Sequence, residues 1–194
     1  MLEWLHLLED WLAQYGIYGL LFVSFADSSF LPVIPEVLLL PMGIANPSMV
    51  WIYALYTTIA SVLGALLGWY IGKKLGRPVL RYFISEEKIQ KVEFYFHKYG
   101  ALSIVIAGFT PIPYKVFTIF SGVSRMKIRT LMFWSVIGRG ARFFLEAAII
   151  AMLGENAMPF IEKNFTLLTL LGGIAIVIFF LVYRIIQKRK QSAL

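Results

Sequence analysis

The chain of 194 residues contains no cysteine, only two histidines and, before Lys73, neither lysine nor arginine. Without cysteine there is no disulfide framework and no thiolate metal site, although nothing follows about compartment. His6 and His97 both fall in amphipathic segments, so no histidine-based metal centre and no cofactor is expected. Charge is scarce as well. Charged residues make up 15% of the chain against 59% hydrophobic, and the mean hydropathy is +0.76. A soluble domain of this length would have too few charges to cover its surface. The formal net charge of +7 does not indicate a nucleic-acid partner, because the basic residues cluster in short blocks beside apolar segments.

Long apolar runs are what the sequence has instead. Residues 37–72 and 165–183 carry no charge, and each is long enough to cross a hydrocarbon core of about 30 Å at about 1.5 Å per helical residue. The expected class is an all-α integral membrane protein forming one membrane domain over residues 1–194. Residues 1–15, with Leu2, Leu5, Leu8 and Leu12 on one face and an acidic rather than basic start, read as an interfacial helix and not a secretory signal. Met49 to Gly72 reads as a continuous span. Its Gly64, Gly68 and Gly72 lie on one face for close helix packing, with a homodimer contact as the other use. Ser85 followed by Glu86 and Glu87 marks a helix start, with Ile89, Val92 and Phe96 on one face. Thr130–Leu153 is long enough to span, 165–183 is a C-terminal span, and 184–194 is a basic tail.

Two apolar runs are broken. Ile17–Gly43 is interrupted by Pro32 and Pro35 beside Asp27 and Glu36; Ala101–Val123 is interrupted by Pro111 and Pro113 beside Lys115. Basic residues favour the cytoplasmic side. Lys73–Tyr99 has seven Lys or Arg against three Glu, and with Arg125–Arg129 and Arg184–Lys190 it belongs there. The N-terminal helix and the loop with Glu155 and Glu162 belong outside. Each broken run then starts and ends on one side, which makes both of them re-entrant hairpins dipping in from opposite faces. Irregular backbone at membrane depth is tolerated only where protein or a wet cavity surrounds it.

The halves also repeat. Pro32, Glu36, Val37 and Gly43 match Pro111, Lys115, Val116 and Gly122 at a constant offset of 79. Residues 16–72 form repeat one and 85–153 repeat two, and with the interfacial helix over 1–15 ahead of the first, each half runs amphipathic helix, hairpin and membrane helix. The first starts outside and the second inside, so the repeat is inverted, an arrangement associated with transporters.

Six ionisable residues lie at membrane depth: Asp27, Glu36, Lys115, Arg139, Arg142 and Glu146. At a helix centre each costs roughly 2.5–3.5 kcal/mol, so keeping six needs a use or a very good network. Lys115, Arg139 and Arg142 suit an anionic head group, the guanidinium fork matching phosphate. Asp27, Glu36 and Glu146 are candidates to carry protons. The structural alternative is mutual neutralisation, with Glu36 paired to Lys115 across the hairpin tips and Arg142 to Glu146 along one helix.

The succession of an acidic first hairpin, "GALLGWYIGKKLG", "GFTPIPYKVFTIFSGVSRM" and "GRGARFF" resembles the DedA family of bacterial membrane proteins, which shares its domain with eukaryotic VTT (SNARE-associated Golgi) proteins. The likeness covers roughly Gly16 to Gly154 and is greatest to a shorter, YqaA-type branch. More usual members have an Arg before the second hairpin's Phe-x-Pro and another after it, where this chain has only Lys115. The resemblance implies a flippase or scramblase of the bacterial inner membrane. Its substrate would be an anionic or zwitterionic phospholipid or a polyprenyl phosphate, with proton coupling through first-hairpin acids. A proton- or ion-coupled small-solute transporter is the alternative. An enzyme is not expected, since no metal cluster or nucleophile–base pair is present.

Overall fold

A computed structural model describes residues 14–31, 33–109 and 112–156. The interfacial helix over 1–15, the 165–183 span, the basic tail, Pro32 and Pro111 lie, wholly or almost wholly, outside the described residues. Those described are helical, with no strand among them. In order they form α1 (Ile17–Ser29), α2 (Glu36–Ala45), α3 (Val50–Leu75), α4 (Glu86–Tyr99), α5 (Ser103–Ala107), α6 (Tyr114–Val123) and α7 (Ile128–Leu153), with short 3₁₀ turns between several of them.

The order repeats: two short helices across a break, then a helix of 26 residues. At about 1.5 Å per residue, 13-residue α1 and 10-residue α2 and α6 are too short to cross about 30 Å alone, whereas α3 and α7 are long enough. Only α3, counted from Pro47, is also apolar enough among the described helices. The breaks have a local cause. Pro35 and Pro113 stand immediately before α2 and α6, where a missing N–H costs no helical hydrogen bond. Upstream, the N–H groups of Phe30 and Leu31 both donate to the Ala26 carbonyl and close α1. Ser85 precedes α4 as expected, and Ile89 and Val92 are its buried residues, with Phe96 half-buried.

Two apolar clusters organise the packing. One joins Leu20 and Val23 of α1, Leu38–Leu40 of α2, the start of α3 at Val50 and Tyr53, and the end of α7 at Phe143, Ala147 and Ile150. The other joins Ala65 and Trp69 near the end of α3, Ile89 and Val92 of α4, Ile104 of α5, Phe117 and Phe120 of α6, and Leu131 at the start of α7. Thus α3 and α7 run antiparallel, with the first broken pair at one end and the second at the other.

The glycine stripe has a use inside this chain. A side chain on Gly64 would strike the Phe25 carbonyl of α1, and one on Gly72 the Ile119 carbonyl of α6. Gly68 abuts Thr118 Oγ1 and the Ser28 carbonyl, while Gly122 lies against the Trp69 carbonyl. Small residues let backbones touch where lipid offers no hydrophobic drive. The same logic holds on α7, where Gly138 meets the backbone of Val105.

Candidate functional site

Between the two apolar clusters lies a polar layer. α3 contributes Thr57, Thr58 and Ser61, α1 contributes Ser28, and α7 contributes Ser135 and Arg139, all buried. The threonine hydroxyls return to their own helix, at the Tyr53 and Ala54 carbonyls. Ser61 faces outward to its neighbours: it shares a 2.6 Å hydrogen bond with Ser28 and accepts from Arg139 Nε at 2.7 Å.

Arg139 is only 2% exposed and lies 2.6 Å, through Nη2, from Asp27 Oδ2. Its guanidinium carbon is 4.8 Å from the centre of the Tyr114 ring and 4.6 Å from that of Phe143. Aromatic faces stabilise a desolvated cation. Tyr114 is fixed in turn by donating to Ser135 Oγ at 2.7 Å. One arginine therefore joins α1, α3, α6 and α7.

Arg142, one turn further on, reaches both breaks. Nη2 is 2.5 Å from Glu36 Oε1 at the first residue of α2, and Nη1 donates to the Gly108 carbonyl just past α5 at 3.0 Å. Nε bonds Glu146 Oε1 at 3.2 Å along α7. The expected Arg142–Glu146 pair is therefore present. The expected Glu36–Lys115 pair is replaced by Glu36–Arg142, because α2 packs on the α7 end that carries Arg142.

Lys115 is buried, yet no carboxylate of the described residues lies within 4.0 Å of its Nζ. The ammonium instead donates to the Phe30 carbonyl at 3.4 Å, at the end of α1, and lies 4.9 Å from the centre of the Phe83 ring. Next to it, Thr118 Oγ1 donates to the Ser28 carbonyl at 2.9 Å. The start of α6 thus meets the end of α1.

All six charges expected at membrane depth belong to this region, and five form direct ion pairs. Sequence reasoning missed the neutral partners. Ser61, Ser28, Tyr114 and Ser135 carry no charge signal, and the carbonyls of Phe30 and Gly108 depend on where the helices break. Ser61 had one legible hint, its place three residues before Gly64 on the small-residue face. Among the described residues no group of His, Cys, Asp and Glu is arranged to hold a metal ion. Chemically, the layer gathers two guanidiniums, one ammonium and three carboxylates between two apolar clusters.

A family model described as VTT domain matches residues 32–152. An uncharacterized protein of Haemophilus influenzae is 32% identical over 177 residues, covering 90% of this chain and 91% of that one. The uncharacterized membrane protein YbfM of Bacillus subtilis is 28% identical, covering 77% of this chain and 98% of its own length. A Staphylococcus aureus protein called undecaprenyl phosphate transporter A is 25% identical, with 68% of this chain and 71% of that one covered. No solved structure matches.

Proposed function

The chain belongs to the DedA family of VTT-domain membrane proteins, and from that premise we propose that it moves a phosphate-bearing lipid between the leaflets of a bacterial inner membrane. The observation that carries this reading is the meeting of two broken helix pairs at a buried layer holding Arg139, Arg142 and Lys115. Charges are kept at such depth at considerable cost, and guanidinium and ammonium groups recognise phosphate.

In this reading each broken pair is a re-entrant hairpin and the halves form an inverted repeat. Contacts at both ends support it. Leu20 near the start of α1 and Gly43 near the end of α2 both lie at the α3 end marked by Val50. Ile104 of α5 and Gly122 of α6 lie at the end marked by Trp69. With α3 across the bilayer, the hairpins insert from opposite faces and their tips meet between. The phosphate sits among the cations while the acyl or prenyl chains stay in the bilayer. The relative named for undecaprenyl phosphate transport makes a polyprenyl phosphate one candidate; phosphatidylglycerol and phosphatidylethanolamine are the others.

In this reading the side of the protein carrying the basic segments 73–99 and 125–129 faces the cytoplasm, as an excess of Lys and Arg favours. Because the chain lacks cysteine, single cysteines report this directly: one at exposed Ser48 reacts from outside and one at exposed Ser85 from inside. The functional test is reconstitution into liposomes, following the three lipids separately with and without a pH gradient. Protein-dependent movement of at least one phosphate lipid is expected. Movement of none, by protein shown to be inserted and folded, overturns the reading.

A further inference from the structure

Arg142 is shared in an unusual way. The Nε–Nη2 edge of a guanidinium ordinarily takes both oxygens of one carboxylate. Here that edge serves two: Glu36 Oε1 lies at Nη2 at 2.5 Å and Glu146 Oε1 at Nε at 3.2 Å. The opposite side of the fork is spent on the Gly108 carbonyl. The two carboxylates therefore stand side by side, 6% and 8% exposed as residues. Glu36 Oε2 and Glu146 Oε2 are buried and accept no hydrogen bond among the described residues.

We infer that Glu36 and Glu146 form a proton-binding pair, one carboxyl and one carboxylate sharing a single proton against Arg142. Two like charges forced together in a low-dielectric interior make ionising both costly, and Arg142 is the one cation within 4.0 Å of either among the described residues, with Arg139 acting from further off. Taking up one proton from the aqueous side converts a local charge of −1, two carboxylates and one guanidinium, to zero. It also supplies an O–H donor where buried oxygens have none.

The surrounding groups point the same way. Asp27 of α1 faces a different guanidinium, with Arg139 Nη2 2.6 Å from its Oδ2 and no second carboxylate within 4.0 Å of Arg139 among the described residues. Lys115 and Tyr114 of α6 lie on the Asp27–Arg139 side of the layer. α3 presents no Asp, Glu, Lys or Arg before Lys73, only its tyrosines Tyr53, Tyr56 and Tyr70, and α5 has no ionisable side chain. The chain thus separates a fixed salt bridge from an exchangeable site. The role of that proton in transport rests on the proposed function: a phosphate drawn to Arg142 would displace a carboxylate, which must then keep its proton. The site itself does not depend on that reading.

Infrared difference spectroscopy of the purified protein over a pH titration tests the site without any lipid substrate. The wild type should show the carbonyl stretch of one protonated carboxyl per chain, lost as pH rises. Glu36→Gln and Glu146→Gln should each abolish it, since the remaining acid then has Arg142 alone, and Asp27→Asn should keep it. Each Gln is close in shape to the protonated acid; should one variant misfold, the other still decides. Absence of the band from the wild type, its survival in a folded Gln variant, or its loss in folded Asp27→Asn alone overturns the inference. Failure of lipid movement with the band pattern intact would count against the proposed function and leave the proton site standing.

Discussion

Arg139 and Asp27 stand 112 residues apart in the chain and 2.6 Å apart in space. With Arg139 almost fully buried, the pair ties the end of α1 to the middle of α7, and Ser61 holds the same guanidinium against α3. Removing one member of a buried pair is more damaging than removing both.

Asp27→Asn should therefore destabilise the protein by about 3–5 kcal/mol, because it strands a buried guanidinium. The double variant Asp27→Asn/Arg139→Gln should recover roughly half of that or more, as expected for directly coupled partners. Denaturation in detergent over the four members of the cycle measures both numbers. A folded double variant that no longer moves lipid would assign the pair a role beyond holding helices together.

The glycine contacts predict opposite outcomes for the same substitution. Gly64→Ala and Gly72→Ala drive a methyl into the Phe25 and Ile119 carbonyls and should each cost about 1–3 kcal/mol or more. At Gly140 the nearest atom to a new methyl is Thr58 Cγ2 at an ordinary 3.6 Å. Gly140→Ala should be neutral or gain up to about 1 kcal/mol from helix propensity. Thermal unfolding of the three variants in one detergent gives the comparison.

How much of this was legible in the sequence follows from what each signal encodes. Length and lack of charge mark α3 without ambiguity. Pro35 and Pro113 mark where α2 and α6 begin, because proline acts through its own backbone. The six charges of the layer were legible because charge inside an apolar run is conspicuous. Partner choice was not. The offset of the repeat sets Glu36 opposite Lys115, yet Glu36 sits against Arg142 because the packing of α2 on the end of α7 decides which cation is within reach. Arg139 shows no partner along its own helix, since Asp27 comes from α1. Such pairings live in tertiary contacts, which one sequence does not record.

Lys115 separates binding from structural neutralisation. With no described carboxylate within 4.0 Å, Lys115→Met keeps the stem and removes a buried charge that supports no ion pair among the described residues. Stability should hold or rise, because desolvation of the cation is relieved. Movement of a phosphate lipid should fall about tenfold or more, equivalent to about 1.4 kcal/mol of lost interaction. Reconstituted flux beside an unfolding curve measures both. Undiminished flux would remove Lys115 from the phosphate site.

The central claim is that the two broken helix pairs meet inside the membrane, and cross-linking in native membranes tests it most directly. Thr118 Oγ1 of α6 donates to the Ser28 carbonyl of α1 at 2.9 Å, and the chain has no cysteine of its own. Ser28→Cys/Thr118→Cys should join efficiently through a disulfide or a short bifunctional maleimide, and the control pair Ser48→Cys/Ser85→Cys should not join. A tip pair that stays uncoupled, with each thiol open to reagent from its own side, would contradict the account.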